Sequence, residues 1–273
     1  RAAHGPLERA LTDPVRRAAA RLAEARLARE RLPGLPDDLR PADEGAAYRV
    51  QDELHGMLTA RGLGPIVGHK IGCTTPVMQR FLDIDHPCAG GVFSTRVFRE
   101  SVALPFDAFL HVGVETEIVV VLGRDLPPRG APYVRDDVRG AVSAIAAAIE
   151  IVDDRWIDYR SVDAPTMIAD DFFNDASVLG PLRPFDPALD LGALRGTTRI
   201  NGTEVGRGTG ADVLGHPLDA LAWLANLLAA RGPGLRAGEF VSTGSVVETK
   251  WMARGDDAVV EVEGLGTVRA RFG

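Results

Sequence analysis

The run Val112–Leu122 reads as a buried strand, yet it carries two carboxylates, Glu115 and Glu117, two residues apart. Side chains on a strand alternate faces, so both acids point the same way. Like charges on one face of an apolar strand repel each other and lose hydration. The chain tolerates them if a cation neutralises the pair, if they share a proton, or if that face is wet. Glu150, in Ala148-Ile-Glu-Ile-Val152, adds a third acid framed by apolar residues. With no compensating lysine nearby in the chain, the trio points to an oxygen-ligand site for a hard divalent cation, Mg²⁺ before others. A strand with one solvated face and an unrelated acid is the plainer alternative.

Composition narrows the setting. The 273 residues are 45% hydrophobic and 25% charged, enough for one large core with a small appended element. A formal net charge of −7 argues against nucleic acid, whose phosphates demand a basic face. Of 31 basic residues only Lys70 and Lys250 are lysine. Lys70 stands in Gly68-His-Lys-Ile-Gly72, between glycines and apolar neighbours, where burial tunes an ammonium and its compact charge grips a carboxylate. Lys250 reads as a surface lysine with a snorkelling stem. Cys73 and Cys88 fit neither a metal pattern nor a disulfide framework and are expected to be free thiols. No run approaches a membrane span; Leu218–Ala230 is interrupted by Asp219 and Asn226. The arginine-rich start lacks an apolar signal core, and Glu8, Asp13, Glu24 and Glu30 are unlike a transit peptide, so a cytoplasmic protein is expected.

Periodicity separates an N-terminal helical segment, residues 1–65, from a strand-rich domain, residues 66–273. Asp13-Pro14 looks like a cap and first turn leading into a helix to Arg31, and a second helix runs from Asp43 to Ala60, closed by Gly62. These helices cover a β core or make a subunit contact. Val138–Ile149 is alanine-rich and reads as helix passing into a short strand at Glu150. Asn201-Gly202 marks a type I′ hairpin, and Pro217–Ala230 an amphipathic helix. Phe240–Val247, Ala258–Glu263 and Leu265–Phe272 read as strands. The whole predicts an α+β fold with a mixed β-roll or sandwich core.

Other motifs are weak. Gly206-Arg-Gly-Thr-Gly210 lacks the endings of a phosphate loop and reads as a glycine-rich turn. Among the scattered histidines only His69, beside Lys70, is placed near chemistry, in a packed or supporting role. Asp153, Asp154 and Arg155 read as local ion pairs, with Asp153 able to orient a metal-bound water.

Gly68-His-Lys-Ile-Gly72, Glu115-Thr-Glu117, Glu150-Ile-Val-Asp-Asp-Arg155, Ile168-Ala-Asp170, Val213-Leu-Gly-His-Pro217 and Ser242-Thr-Gly-Ser245 follow one another in an order that resembles the 2-keto-4-pentenoate hydratase family. That family lies within the fumarylacetoacetate hydrolase superfamily and includes 2-oxo-3-hexenedioate decarboxylases. The resemblance spans about residues 45–273. It implies a mixed β-roll core, a bound Mg²⁺ or Mn²⁺ and a small 2-oxo acid substrate. It also implies Glu115, Glu117 and Glu150 as metal ligands, Lys70 as the catalytic lysine near the substrate carboxylate and enol, and Ser245 as a hydroxyl contact to that carboxylate. Two departures stand out: Cys88 replaces an expected Asp, and Asp170-Asp-Phe-Phe-Asn174 replaces a more polar stretch.

The expected activity is hydration of a 2-hydroxy-2,4-dienoate to a 4-hydroxy-2-oxo acid, in a homo-oligomer of the kind used in aromatic catabolism. Decarboxylation of a 2-oxo-3-hexenedioate and hydrolytic C–C cleavage of an acylpyruvate are the alternatives. Cleavage calls for a histidine–acid pair, which the sequence does not reveal. A non-catalytic subunit supporting a partner enzyme is the remaining alternative, against which the clustered acids argue.

Overall fold

A computed structural model of the chain describes residues 13–273; Glu8 and the rest of the N-terminal segment's first twelve residues lie outside the described residues. The helices are α1 (Pro14–Ala28), α2 (Glu44–Leu58), α3 (Pro76–Leu82), α4 (Arg135–Arg139), α5 (Ala164–Ala169) and α6 (Pro217–Arg231). Asp13 caps α1 by accepting from the Val15 N–H, and Asp43 caps α2 through Ala46. Arg29 turns left-handed, so α1 ends at Ala28, short of the expected Arg31.

The strands are β1 (Ile66–Gly72), β2 (Cys88–Phe93), β3 (Val97–Arg99), β4 (Ser101–Leu104), β5 (Val112–Leu122), β6 (Val142–Asp153), β7 (Asn174–Leu179), β8 (Arg183–Pro184), β9 (Arg195–Ile200), β10 (Thr203–Thr209), β11 (Phe240–Trp251), β12 (Asp257–Val262) and β13 (Gly266–Phe272). An eight-stranded mixed sheet runs β2-β1-β11-β5-β6-β7-β3, with β8 also on β6; a five-stranded sheet runs β10-β9-β12-β13-β4. The smaller sheet packs on one face of β5 and β6, and a hydrogen bond of 2.6 Å between the Thr116 and Thr198 hydroxyls crosses that interface. This is the α+β sandwich expected from the strand pattern.

The stretch 138–149 corrects the sequence reading. From Val142 it is strand, central in the large sheet between β5 and β7. A strand covered on both faces reads as a continuous apolar run, without the alternation that betrays a half-exposed one. Pairing with β5 on one edge and β7 on the other overrides the helical preference of the alanines. Gly206–Thr209 likewise belongs to β10, where a turn was expected. A Cβ on Gly208 would lie 1.8 Å from the Val246 carbonyl oxygen, so the glycines serve close backbone approach. The hairpin at Asn201-Gly202 forms as expected, both residues at positive φ.

With the turn before it, α6 makes a helical stretch, Gly210–Arg231, long and apolar enough to cross a membrane by length and composition. Half of its apolar window is buried, and Leu218, Leu221 and Leu224 lie inside the fold, which marks it as a core helix. Residues of α1 and α2, among them Leu22, Tyr48 and Leu54, join the same hydrophobic core as the sheets.

Candidate active site

Register decides which side chains meet. Glu115 lies opposite Glu150 and Glu117 opposite Ala148, so all three acids share the face of the large sheet turned away from the smaller one. Lys70 pairs with Ser242 on one side and Gly90 on the other, and Ser242 pairs with Val119, which puts the lysine on that face too. Beside them on this face Val92, Val119, Ala148, Leu179 and Phe240 form an apolar patch.

One carboxylate oxygen from each of Glu115, Glu117 and Glu150 lies within 4.8 Å of the other two. Glu117 and Glu150 are buried, and Glu115 is the most accessible. The absence of a compensating lysine was an artefact of sequence distance: Lys70 Nζ stands 3.4 Å from Glu150 Oε1 and donates to the Phe172 carbonyl at 2.6 Å. Asn174 donates to the same Glu150 oxygen at 2.9 Å, the Gly244 N–H donates to Glu117 Oε2 at 2.8 Å, and the Thr249 hydroxyl donates to Glu115. Glu117 Oε1 is buried with no hydrogen-bond partner among the described residues.

One ammonium does not neutralise three acids. Burial and the neighbouring Glu150 push Glu115 up to about 7. Burial, then Glu150 and Glu115, push Glu117 well above the carboxylate range. Burial alone would lower Lys70; the Glu150 and Glu115 charges outweigh it and hold the ammonium above its ordinary value. An orphaned buried carboxylate oxygen beside two further acids is the donor set a hard cation takes, at about 2.1 Å per bond for Mg²⁺. The residues present fit the ion.

The other candidates divide. Ser245 lies opposite Glu117, and its hydroxyl donates to two backbone carbonyls, Val247 at 2.5 Å and Thr116 at 3.3 Å. His69 faces the opposite side of β1 from Lys70 and stands 3.7 Å from Glu239, away from the acids. Cys88, opposite Gly72, is buried; contact with the Cys73 thiol and burial push it well above an ordinary thiol, so it is a neutral neighbour of Lys70. Asp153 accepts from the Leu110 and His111 N–H groups, and Arg155 ignores its neighbours to reach Asp170 at 2.7 Å, which corrects the local-ion-pair reading. Sequence reasoning missed Ser242 and Ser177. Both are buried with no hydrogen-bond partner among the described residues, one beside Lys70 and one opposite Glu150. Only strand register could have found them.

It also missed the frame behind Lys70. Asp171, Phe172 and Phe173 all have left-handed φ, and a Cβ on Gly90 would lie 2.9 Å from the Asp171 carbonyl oxygen, so this turn crosses directly over β2. Asp171 caps the free edge of β2 by accepting from the Gly91 N–H at 3.0 Å. The same oxygen lies 2.6 Å from His55 Nε2, and Arg26 stands 3.0 Å from its partner oxygen. Burial would raise Asp171, but His55 and Arg26 hold it far below the carboxylate range. Arg26 and Arg155 both bind Asp170 at 2.7 Å. A histidine–acid pair therefore exists, but His55 packs against Gly91, which like His69 opposite it faces away from Lys70.

Residues 94–273 match the family described as fumarylacetoacetate (FAA) hydrolase, C-terminal. The chain belongs to the fumarylacetoacetate hydrolase family. Within that family it is 35% identical over 257 residues to a 2-keto-4-pentenoate hydratase of Paraburkholderia phymatum, covering 93% of this chain and 95% of the relative. It is 31% identical over 255 residues to a 2-hydroxyhexa-2,4-dienoate hydratase of Comamonas testosteroni, covering 92% and 95%. Among solved structures, 4-oxalocrotonate decarboxylase from Pseudomonas putida G7, complexed with magnesium and adipate, superposes with a TM-score of 0.88 at 31% identity, over 95% of this chain and 97% of that one.

Proposed function

We propose that this member of the fumarylacetoacetate hydrolase family is a hydro-lyase that converts a 2-hydroxy-2,4-dienoate and water to a 4-hydroxy-2-oxo acid. The observation that carries the reading is the convergence of Glu115, Glu117, Glu150 and Lys70 on one buried sheet face, with a carboxylate oxygen left unpartnered. The extended likeness to hydratases supports the reaction type. Glu115, Glu117 and Glu150 would hold Mg²⁺ or Mn²⁺, which would supply Lewis-acid stabilisation of negative charge on the substrate's 2-oxygen, a contribution of several kcal/mol.

The chain's own groups do the rest. The Lys70 ammonium, kept charged by its acidic neighbours, binds the substrate carboxylate and donates a hydrogen bond to the 2-oxygen, which stabilises the enolate formed when the enol proton leaves to water. A proton is gained at C5, which leaves a C3–C4 double bond conjugated with the ketone. Water then adds its oxygen to C4 and a proton to C3. The free hydroxyl of Ser242, beside Lys70, is placed to meet the carboxylate; Ser245 does so only after leaving its two backbone acceptors. Hydrolytic C–C cleavage is disfavoured because the His55–Asp171 pair faces away from the acids and Asp171 is committed to Gly91 and Arg26.

The test is a chelator-treated enzyme offered 2-hydroxypenta-2,4-dienoate. Loss of the dienoate absorbance should stop without metal and return with Mg²⁺, giving 4-hydroxy-2-oxopentanoate by mass spectrometry. Full turnover in chelator, or carbon dioxide as the product from a 2-oxo-3-hexenedioate with no hydration of the dienoate, would overturn the reading.

A further inference from the structure

Substrates built on a 2-oxo acid head differ most at the other end, which is either apolar or a second carboxylate. We infer that this site selects the monocarboxylate with an uncharged, apolar tail, and that Phe172 is the wall the tail meets. The inference rests on the 2-oxo acid reading above and adds the substrate class.

Phe172 belongs to the site and not merely to the core. Its ring centroid lies 5.2 Å from Lys70 Nζ. A Cβ on Gly72 would stand 3.2 Å from Lys70 Nζ and 3.4 Å from Phe172 Cδ1, so ring and ammonium close over one strand position on the face that carries the acids. The ring has little freedom to leave. Its own carbonyl accepts from Lys70, and the left-handed turn that presents it is tied down on the preceding residue by Gly91, His55 and Arg26.

A second carboxylate finds no partner along the stretch of this wall formed by Phe172 and Phe173; the guanidinium of Arg160 lies farther out, over the Tyr159 ring at 5.2 Å. Among the described residues on the acid-bearing face of β1, β5, β6 and β11, Lys70 is the one cation beside the acids, and it serves the first carboxylate. Arg26 and Arg155, the guanidinium groups that reach the turn from α1 and from the end of β6, are held by Asp170 and Asp171. Beyond Phe172 the surface stays aromatic: Phe173 at 5.5 Å, Tyr159 at 5.8 Å from Phe173, and Phe81 at 6.0 Å from Tyr159. The groove of about 590 Å³ beside Phe81 sets Arg160 against four acids, Asp43, Glu44, Asp83 and Asp163, of which Asp163 is paired with Arg40 and Glu44 with His86, so acids still outnumber guanidinium groups there. A carboxylate pressed on the rings is desolvated without compensation, and one that reaches the groove meets net negative charge.

The experiment is calorimetric titration of the Mg²⁺-loaded protein with 2-oxohexanoate and 2-oxoadipate, which share a six-carbon chain and differ in the terminal group. The wild type should bind 2-oxohexanoate at least about ten-fold more tightly. Phe172→Ser should weaken 2-oxohexanoate about five-fold or more and leave 2-oxoadipate within about two-fold. Phe173→Arg, at a half-buried position that accepts a long side chain, should bring the two ligands within about two-fold of each other by supplying the missing cation. Equal or tighter wild-type binding of 2-oxoadipate overturns the inference, as does an unchanged ratio in both variants. If a variant fails to fold, the wild-type ratio decides alone. Binding of 2-oxohexanoate without hydration of a dienoate would sink the proposed reaction and leave the inference standing; binding of neither compound sinks both.

Discussion

Two clusters of buried charge flank the turn at residues 171–173, and they are neutralised to different degrees. On one side Asp170 and Asp171 meet Arg26, Arg155 and His55, and Asp171 is held far below the usual carboxylate range. On the other, three glutamates share one ammonium, Glu115 and Glu117 are pushed upward, and a Glu117 oxygen has no partner. The first cluster is complete within the chain and holds the fold. The second is short of positive charge, which is the electrostatic mark of a place prepared for a ligand.

The largest expected effect lies in the incomplete cluster. Glu150→Gln should cut turnover about a thousand-fold or more and lower Mg²⁺ stoichiometry, because the proposed site would lose one of its three carboxylates and with it a Lewis-acid contribution of several kcal/mol. The metal-free variant should be no less stable than metal-free wild type, since one of three mutually repelling acids is gone. Asp170→Asn should do the reverse. Breaking a buried pair leaves guanidinium charge uncompensated, at about 3–5 kcal/mol in equilibrium denaturation, while the folded fraction keeps its Mg²⁺. Equal destabilisation by both substitutions would erase the distinction between the clusters.

Lys70→Ala sharpens it further. Turnover should fall about a hundred-fold through loss of a charge-assisted contact to the substrate, with metal binding retained. Lys250 pairs at the surface with Glu248, so Lys250→Ala should change activity and stability by less than about 0.5 kcal/mol. Similar effects at the two lysines would remove Lys70 from the site.

Acid should separate the clusters by sign. Glu115 in the metal-free protein binds its proton more tightly folded than unfolded, so its contribution to stability falls as pH rises from about 4.5 through 7. Asp171 is depressed, so its contribution is full above about pH 4 and lost as pH falls below that. Urea titrations across pH should therefore show the Glu115→Gln advantage over metal-free wild type growing towards neutrality, and the Asp171→Asn deficit shrinking in strong acid. Parallel pH dependence for the two variants would contradict the assignment.

Much of the architecture was legible because local rules and tertiary packing agree there. The caps at Asp13 and Asp43, the Asn201-Gly202 hairpin and the strand through Glu115 and Glu117 are properties of a few adjacent residues. The misreadings fall where packing outvotes local preference. Alanine-rich Val142–Ile149 is a strand because β5 and β7 pair with it on both edges, and Gly206–Gly208 is a strand because neighbouring groups of β11 pass too close for side chains.

By itself the sequence determined that Glu115 and Glu117 share a face, because strand geometry makes alternate residues parallel. It also marked Lys70 as one of only two lysines, and it carried the family in its ordered motifs. Only the tertiary structure decided that Glu150 completes the trio and that Lys70 meets it, since these residues lie on separate strands whose register no local pattern encodes. It alone made Arg155 a partner of Asp170, turned His69 away, left Ser242 and Ser177 without partners, and brought Phe172 over Gly72. Each of these depends on where one strand or turn crosses another, a long-range property that becomes definite only when the whole sheet closes.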